Sequence, residues 1–338
     1  MELLPLGLAA VLSLSFISER DGNREVYLIN SDGSSERRLT HSDDSEFNGP
    51  PTPDGRFLLV TSVSESDRRR LQRFWLYPLA GGAPRPLGAE RSVLRNPSFS
   101  SDGSFLFFEG SAPGLREVFR LSLDGQRLSQ LTRNREGNFQ PRPSPGGDQL
   151  VFVSSRDQVA ELYLTRSSGG PARRLTQTER DEWQPQWSPD GKTILFGSDR
   201  EGADRLYLLP LDGGPTGRLT TEGLDPFTVE ENASFSPDGK WVLYVHRQRD
   251  HKDELCLVEL ATQKRSTLFA SPNDSAGEPV FSPDGKQVAF TLGQGASSQV
   301  HIIDLAGKNL RRLTSGKGPN WHPLWTSPSG ISTKRRSP

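Results

Sequence analysis

Residues 181–220 read D-E-W-Q-P-Q-W-S-P-D-G-K-T-I-L-F-G-S-D-R-E-G-A-D-R-L-Y-L-L-P-L-D-G-G-P-T-G-R-L-T. Four short strands are written into this stretch. The first ends in Trp187, and a Ser-Pro-Asp-Gly turn leads to the second, residues 193–197. After a polar loop comes the third, residues 206–211, then a Gly-Gly turn and a fourth that ends in Arg218-Leu219-Thr220. Pro at the second turn position pre-sets φ and the following Gly accepts positive φ, so S-P-D-G predicts a tight connection by mechanism.

The unit recurs along the chain. Its first turn returns at Pro53-Asp54-Gly55, Ser101-Asp102-Gly103, Ser144-Pro145-Gly146-Gly147, Ser236-Pro237-Asp238-Gly239 and Ser282-Pro283-Asp284-Gly285. The fourth-strand ending returns at Arg38-Leu39-Thr40, Gln130-Leu131-Thr132, Arg174-Leu175-Thr176 and Arg312-Leu313-Thr314. Degenerate copies stand at Arg85-Pro86-Leu87 and Thr267-Leu268-Phe269. Six intervals separate Thr40 from Thr314, a spacing of about 46 residues, which fits one four-stranded propeller blade per repeat.

The two ends complete the count. The first copy lacks its first strand and begins at the second, near Leu12. After Thr314 a lone first strand remains, Asn320-Trp321-His322-Pro323-Leu324-Trp325, like Glu182-Trp183-Gln184-Pro185-Gln186-Trp187. Joining the two makes a composite blade and leaves no open sheet edge. The expected fold is therefore all-β: a seven-bladed β-propeller of four-stranded antiparallel blades spanning residues 13–330.

Bulk composition sets limits. With 41 Lys and Arg against 42 Asp and Glu, no net field draws the chain to nucleic acid or an anionic membrane. A single cysteine, Cys256, excludes an internal disulfide framework. No segment reaches the roughly eighteen apolar residues of a membrane span. Residues 1–12 form an apolar stretch that continues to Phe16. A signal-peptide core fits its length, yet no basic residue precedes it and the small residues Ala9 and Ala10 make a poor cleavage signal. Leu12 to Phe16 also alternates as a strand, so both readings stand. Residues 331–338 are a basic tail.

The sequence S-D-R-E-G, L-Y-L, D-G-G and R-L-T, followed by W-S-P-D-G-K, resembles the propeller repeat of TolB-type proteins, the WD40-like Pro-Asp repeat family. The resemblance covers nearly the whole chain. It implies a non-catalytic scaffold in a bacterial envelope, with a cytoplasmic location as the alternative. TolB itself pairs a six-bladed propeller with an N-terminal domain that has no counterpart here. Its role in the Tol–Pal system and its partner-binding N-terminal segment are therefore not carried over.

Candidates for chemistry thin out once aligned by repeat. The third-strand position of Tyr207 is also Tyr27, Trp75, Phe119, Tyr163, Cys256 and His301, a column that packs between sheets, so Cys256 and His301 read as core substitutes for an aromatic. His41 follows an R-L-T ending, and His246 and His251 flank a charged loop expected to be solvated. Arg68, Arg69, Arg70 and Arg73 are read as a solvated loop between second and third strands. The Gly-Gly pairs at 81–82, 169–170 and 213–214 are hairpin glycines, since no Walker Lys-Ser/Thr follows. No G-x-S-x-G elbow occurs, and no α/β-hydrolase domain of the prolyl-oligopeptidase kind is expected after the last blade.

One column points outward. Before the first-strand proline, or its equivalent, stand Asn48, Asn96, Gln140, Gln184, Asn232, Glu278 and His322. Inner strands line the channel of a propeller, so these residues would ring one mouth, either as ligand contacts or as blade-to-blade hydrogen bonds. The neighbouring Phe47, Phe139, Trp183 and Trp321 would add apolar anchors. The expectation is a monomeric scaffold that takes a protein or peptide partner at this face, with no cofactor, no metal and no catalytic residue. The alternatives are a metal-dependent lyase, since seven-bladed oligogalacturonate lyases share related repeats but hold metal through clustered histidines, and a small-molecule sensor with its ligand in the channel.

Overall fold

The structure is a computed structural model that describes residues 12–64, 66, 68–112, 115–220, 227–248 and 253–326. The terminal stretches 1–11 and 327–338 and the loop residue His251 lie outside it. Seven four-stranded antiparallel sheets form the ring. Blades one to six follow in chain order, over residues 45–91, 94–130, 138–174, 182–218, 229–269 and 276–312. Blade seven joins Asn320–Trp325 to Ser13–Ser18, Glu25–Asn30 and Arg37–Arg38.

The repeat motifs act by local hydrogen bonding. In the turn of blade four, Ser188 Oγ accepts from Thr193 N at 2.9 Å and donates to Asp190 Oδ1 at 2.6 Å. Ser100, Ser236 and Ser282 repeat the pattern, and Thr52 replaces the serine in blade one. Gly191 takes the positive φ of 72° that the turn requires. The Thr of R-L-T holds the outer strand to the third. Thr132 Oγ1 accepts from Val118 N at 2.9 Å and donates to the buried Glu117 at 2.5 Å. In blade six Thr314 does the same between Val300 N and Gln299.

The Ser-x-Arg-acid run after the second strand is a second clamp. Arg200 lies over the Tyr207 ring at 4.3 Å, its Nε donates to Ser198 Oγ, and the Tyr207 hydroxyl donates to Glu201 at 2.7 Å. Arg20 with Tyr27 and Arg156 with Tyr163 repeat the stack at 4.5 and 4.2 Å. These charged motif residues are engaged within their own blades. Where R-L-T is degenerate, the outer strand keeps pairing instead: Arg85–Arg91 and Lys264–Phe269 run well past the two or three residues found elsewhere.

Apolar burial lies between blades. Leu14, Phe16, Tyr27 and Ile29 of blade seven pack with Ala289, Val300 and Ile302 of blade six, and Trp325 joins them. Cys256 is fully buried opposite Tyr244, and His301 stacks on Phe290 at 5.8 Å, both within the aromatic column. The closing seam pairs Leu14 with Trp325 and Ile17 with Trp321. Arg20 donates to Asn320 Oδ1 at 2.7 Å, and Trp325 Nε1 reaches the Val280 carbonyl at 3.2 Å.

Trp325 is 5% exposed, whereas Trp321 is only half-buried. Trp325→Ala should cost about 3–5 kcal/mol in chemical denaturation and Trp321→Ala less than about 2 kcal/mol. Equal losses would mean that the seam is not held by the buried tryptophan.

Candidate functional site

The seven inner strands surround a channel of about 1890 Å³, walled by residues from every blade. Each inner strand carries one extra residue relative to its neighbour. In blade four Trp183 faces Gly197, yet Gln186 faces Leu195; five other blades shift at the equivalent place, and blade one shifts a residue later, between Asn48 and Pro51. This is a β-bulge, and it falls on the polar column. Asn96, Gln140, Gln184, Asn232, Glu278 and His322 all adopt φ between 48° and 55°, in the left-handed region. Asn48 is the exception, and Gly49 follows it where most blades have proline. Asn and His are enriched at positive φ and β-branched residues avoid it, so the bulge by itself disfavours the apolar β-formers expected in a strand.

Side chains of the column also stitch adjacent blades. Gln140 Oε1 accepts from the Gln184 backbone N–H at 2.6 Å, and Glu278 Oε2 from that of His322 at 2.8 Å. Across the closing seam His322 Nδ1 lies 2.8 Å from Asn48 Oδ1, while Asn48 Nδ2 donates to the His322 carbonyl at 3.0 Å. Asn96 donates to Glu109 at 2.5 Å, and the same carboxylate accepts from Gln140 N. The seven are not equivalent in space. Asn48, Asn96 and His322 line the channel, Glu278 lines a side cavity with Trp321, and Gln184 and Asn232 are exposed.

The four aromatic neighbours are half-buried, not exposed as anchors would be. Arg24 covers Phe47 at 5.3 Å and Arg116 covers Phe139 at 4.4 Å. Trp183 lies flat against Gly197, where an added Cβ would come within 2.4 Å of the indole nitrogen. An exposed aromatic absent from the column is Phe227, 58% exposed just before the inner strand Val229–Phe235. Its blade carries an insertion there, which hides the position from repeat alignment. His246 also departs from expectation: it is buried in the strand Trp241–Arg247, opposite Glu230 and Glu254, and not in a solvated loop. Among the described residues no three His, Cys, Asp or Glu side chains cluster as metal ligands.

Two carboxyls next to the column are perturbed. Burial, reinforced by Glu25 and Asp44, pushes Glu46 up to about 7 against the hydrogen bond from Ser42. Glu182 is also raised to about 7, chiefly by burial, although Arg200 pairs with it. Burial lowers His322, with Glu278 opposing.

The profile of the TolB β-propeller domain matches residues 80–253 and 232–333. The chain belongs to this family. A Tol-Pal system protein TolB of Francisella tularensis subsp. holarctica is 39% identical over 85 residues, 24% of this chain and 19% of that protein. An uncharacterized protein of Agrobacterium fabrum is 28% identical over 126 residues, 37% of this chain and 41% of its own. The matched segments thus span less than half of these relatives. Among solved structures, TolB from Acinetobacter baumannii superposes with a TM-score of 0.60 at 20% identity, over 93% of this chain and 66% of that one. An oligogalacturonate lyase in complex with manganese gives 0.68 at 16% identity, covering 90% and 86%, and a puromycin hydrolase 0.69 at 16%, covering 92% and 53%. At such identities the likeness is one of fold. This member of the TolB family has seven blades.

If the bulge sets the column, Gln184→Gly should leave the melting temperature almost unchanged, and Gln184→Val should cost about 1–3 kcal/mol. A harmless valine would overturn the backbone account. The raised Glu46 binds its proton more tightly folded than unfolded, so its contribution is full below about pH 4.5 and is lost as pH rises to about 7. Glu46→Gln should therefore stabilise the propeller by about 2–3 kcal/mol at pH 8 and by little at pH 4, as read from paired denaturation curves.

Proposed function

We propose that this TolB-type propeller is a binding scaffold that takes a protein or peptide partner at the channel mouth, in the envelope of a bacterial cell. The observation that carries the reading is the asymmetry of the mouth. A wall built from seven copies of one repeat is bordered on one side by Asn48, Asn96, Arg95 and His322, with Arg69 and Arg70 beside them. Sevenfold repetition of the blade does not require that difference, and a specific partner does. The residues Arg69 and Arg70, read from sequence as a solvated loop, thereby become candidates for partner contact. Half-buried Phe47 supplies apolar surface on the same wall.

The relatives support the reading only as far as their name, Tol-Pal system protein TolB, goes. A lyase is the alternative. Its support is the likeness of fold, and His322 is the one histidine of the column, with Nδ1 against Asn48.

Tagged propeller used as bait in an envelope extract of its native host should capture a reproducible partner. Arg95→Glu, exposed on the wall of the mouth, should lower that capture about ten-fold, while Leu128→Ser on an outermost strand should not. Unchanged capture by Arg95→Glu would exclude this face. Elemental analysis of the same preparation tests the lyase, because one transition metal per chain would favour it.

A further inference from the structure

Two positions beyond the polar column, each inner strand turns one side chain toward the channel. Blades two to five contribute Ser98, Arg142, Gln186 and Ser234, an unbroken polar arc. Blades six, seven and one contribute Val280, Leu324 and Pro50, which complete the circle with an apolar arc. The channel wall is therefore divided into a polar half and an apolar half, and Arg142, in the middle of the polar run, is the one charged residue of this layer.

Among the described residues that arginine has no ion-pair partner, and the charge of nearby Glu109 only partly offsets its burial. Its Nη1 donates to the Pro141 carbonyl at 3.0 Å and approaches that of Asn96 at 3.5 Å, and no carboxylate of the described residues forms an ion pair with it. The nearby Glu109 is occupied by Arg116 at 3.1 Å, by Asn96 and by the Gln140 amide. Asp102, the acidic side chain on the channel wall, is tied into its own turn by Ser100 and Ser104. Burial holds the Arg142 guanidinium below its ordinary value, the mark of a cation desolvated without full compensation. Arg95 on the same wall adds to the positive field. The blade itself does not demand a cation here, since serine, glutamine, valine, leucine and proline serve at the same position in the other repeats.

We propose that the channel binds an organic carboxylate with an apolar body, its carboxylate on Arg142 and its apolar part against the Val280, Leu324 and Pro50 wall. A guanidinium offers a planar fork that matches a carboxylate, and low local dielectric strengthens the pair. Gln186 and Ser98 flank Arg142 on the two adjacent blades and can donate to the same oxygens. The carboxylate can belong to a small acid or to the C-terminus of a peptide threaded from the mouth. This site lies deeper than the mouth contacts and stands whether or not a protein docks there.

The test compares 3-phenylpropionate with 3-phenylpropan-1-ol, and a short peptide ending in a free C-terminal Phe with its C-terminal amide, by isothermal titration calorimetry. At least one acid should bind about ten-fold tighter than its neutral partner. Preference for the free peptide alone identifies a chain terminus as the source, and preference for the small acid identifies a free ligand. Arg142→Gln should abolish the preference and Arg142→Lys should retain part of it, with thermal melts verifying the fold. The comparison on the unmodified protein needs no variant. Absence of acid preference in both pairs, or a preference that survives in Arg142→Gln, overturns the proposal.

Discussion

A four-stranded sheet of this repeat is apolar on both faces and cannot hide either one alone. Every blade depends on its two neighbours, so an arc of six would expose two apolar faces at its ends. Closure is the only arrangement that buries all of them, and it depends on one antiparallel seam, Asn320–Trp325 against Ser13–Ser18. The seam is reinforced by groups from three directions. Trp325 fills the space between blades six and seven, Arg20 ties Asn320 from the second-strand loop, and His322 and Asn48 pair with blade one. The first and last described strands are thus neighbours, and the chain must fold around the whole ring before either is satisfied. Such a non-local contact forms slowly, which makes the clasp a late step in folding.

The bulge on each inner strand links this architecture to the mouth. One extra residue bends the strand and frees a side chain from regular alternation. In six of the seven blades that residue adopts a left-handed backbone, which disfavours β-branched side chains. Once there, it lies beside the next blade's amide and accepts from it, as Gln140 does from Gln184 and Glu278 from His322. A single backbone irregularity therefore accounts for the lack of β-branched residues in the column and for its blade-to-blade bonding. Binding can be built on top of this arrangement, but the column does not need a ligand to explain its polarity.

The fold was legible because every signal in it is local and repeated. S-P-D-G, R-L-T and the aromatic third-strand column each act within about a dozen residues, and seven copies average out the degenerate ones. The composite blade could be counted because Trp321-His322-Pro323-Leu324-Trp325 repeats the pattern of residues 183–187. The site was less legible. Polarity at positions 96 to 322 was visible in sequence, but a positive φ is not written in residue type when glutamine and glutamate occupy it. Phe47, Phe139 and Trp183 read as exposed anchors in sequence because Arg24, Arg116 and Gly197, which cover or cradle them, lie outside their own strands. Arg142 is not marked in the sequence, because its column holds a different residue type in almost every blade and so carries no repeat signal.

That last point separates two kinds of position in a propeller. Residues facing the next blade are constrained by a packed neighbour, so Tyr, Phe, Cys and His replace one another only within a narrow range of size. Residues facing the channel are held less tightly by a packed neighbour, and serine, arginine, glutamine, valine, leucine and proline all serve there. Repetition there has nothing to enforce it, so individuality in that layer is where a ligand can leave its mark. The wall runs from Ser98 through Arg142 to Ser234 and then turns apolar at Val280 and Leu324, a division that no symmetry of the fold produces. A largely buried arginine without an ion-pair partner among the described residues costs stability in such a wall. A ligand that arrives from outside the chain and carries the opposite charge would offset that cost.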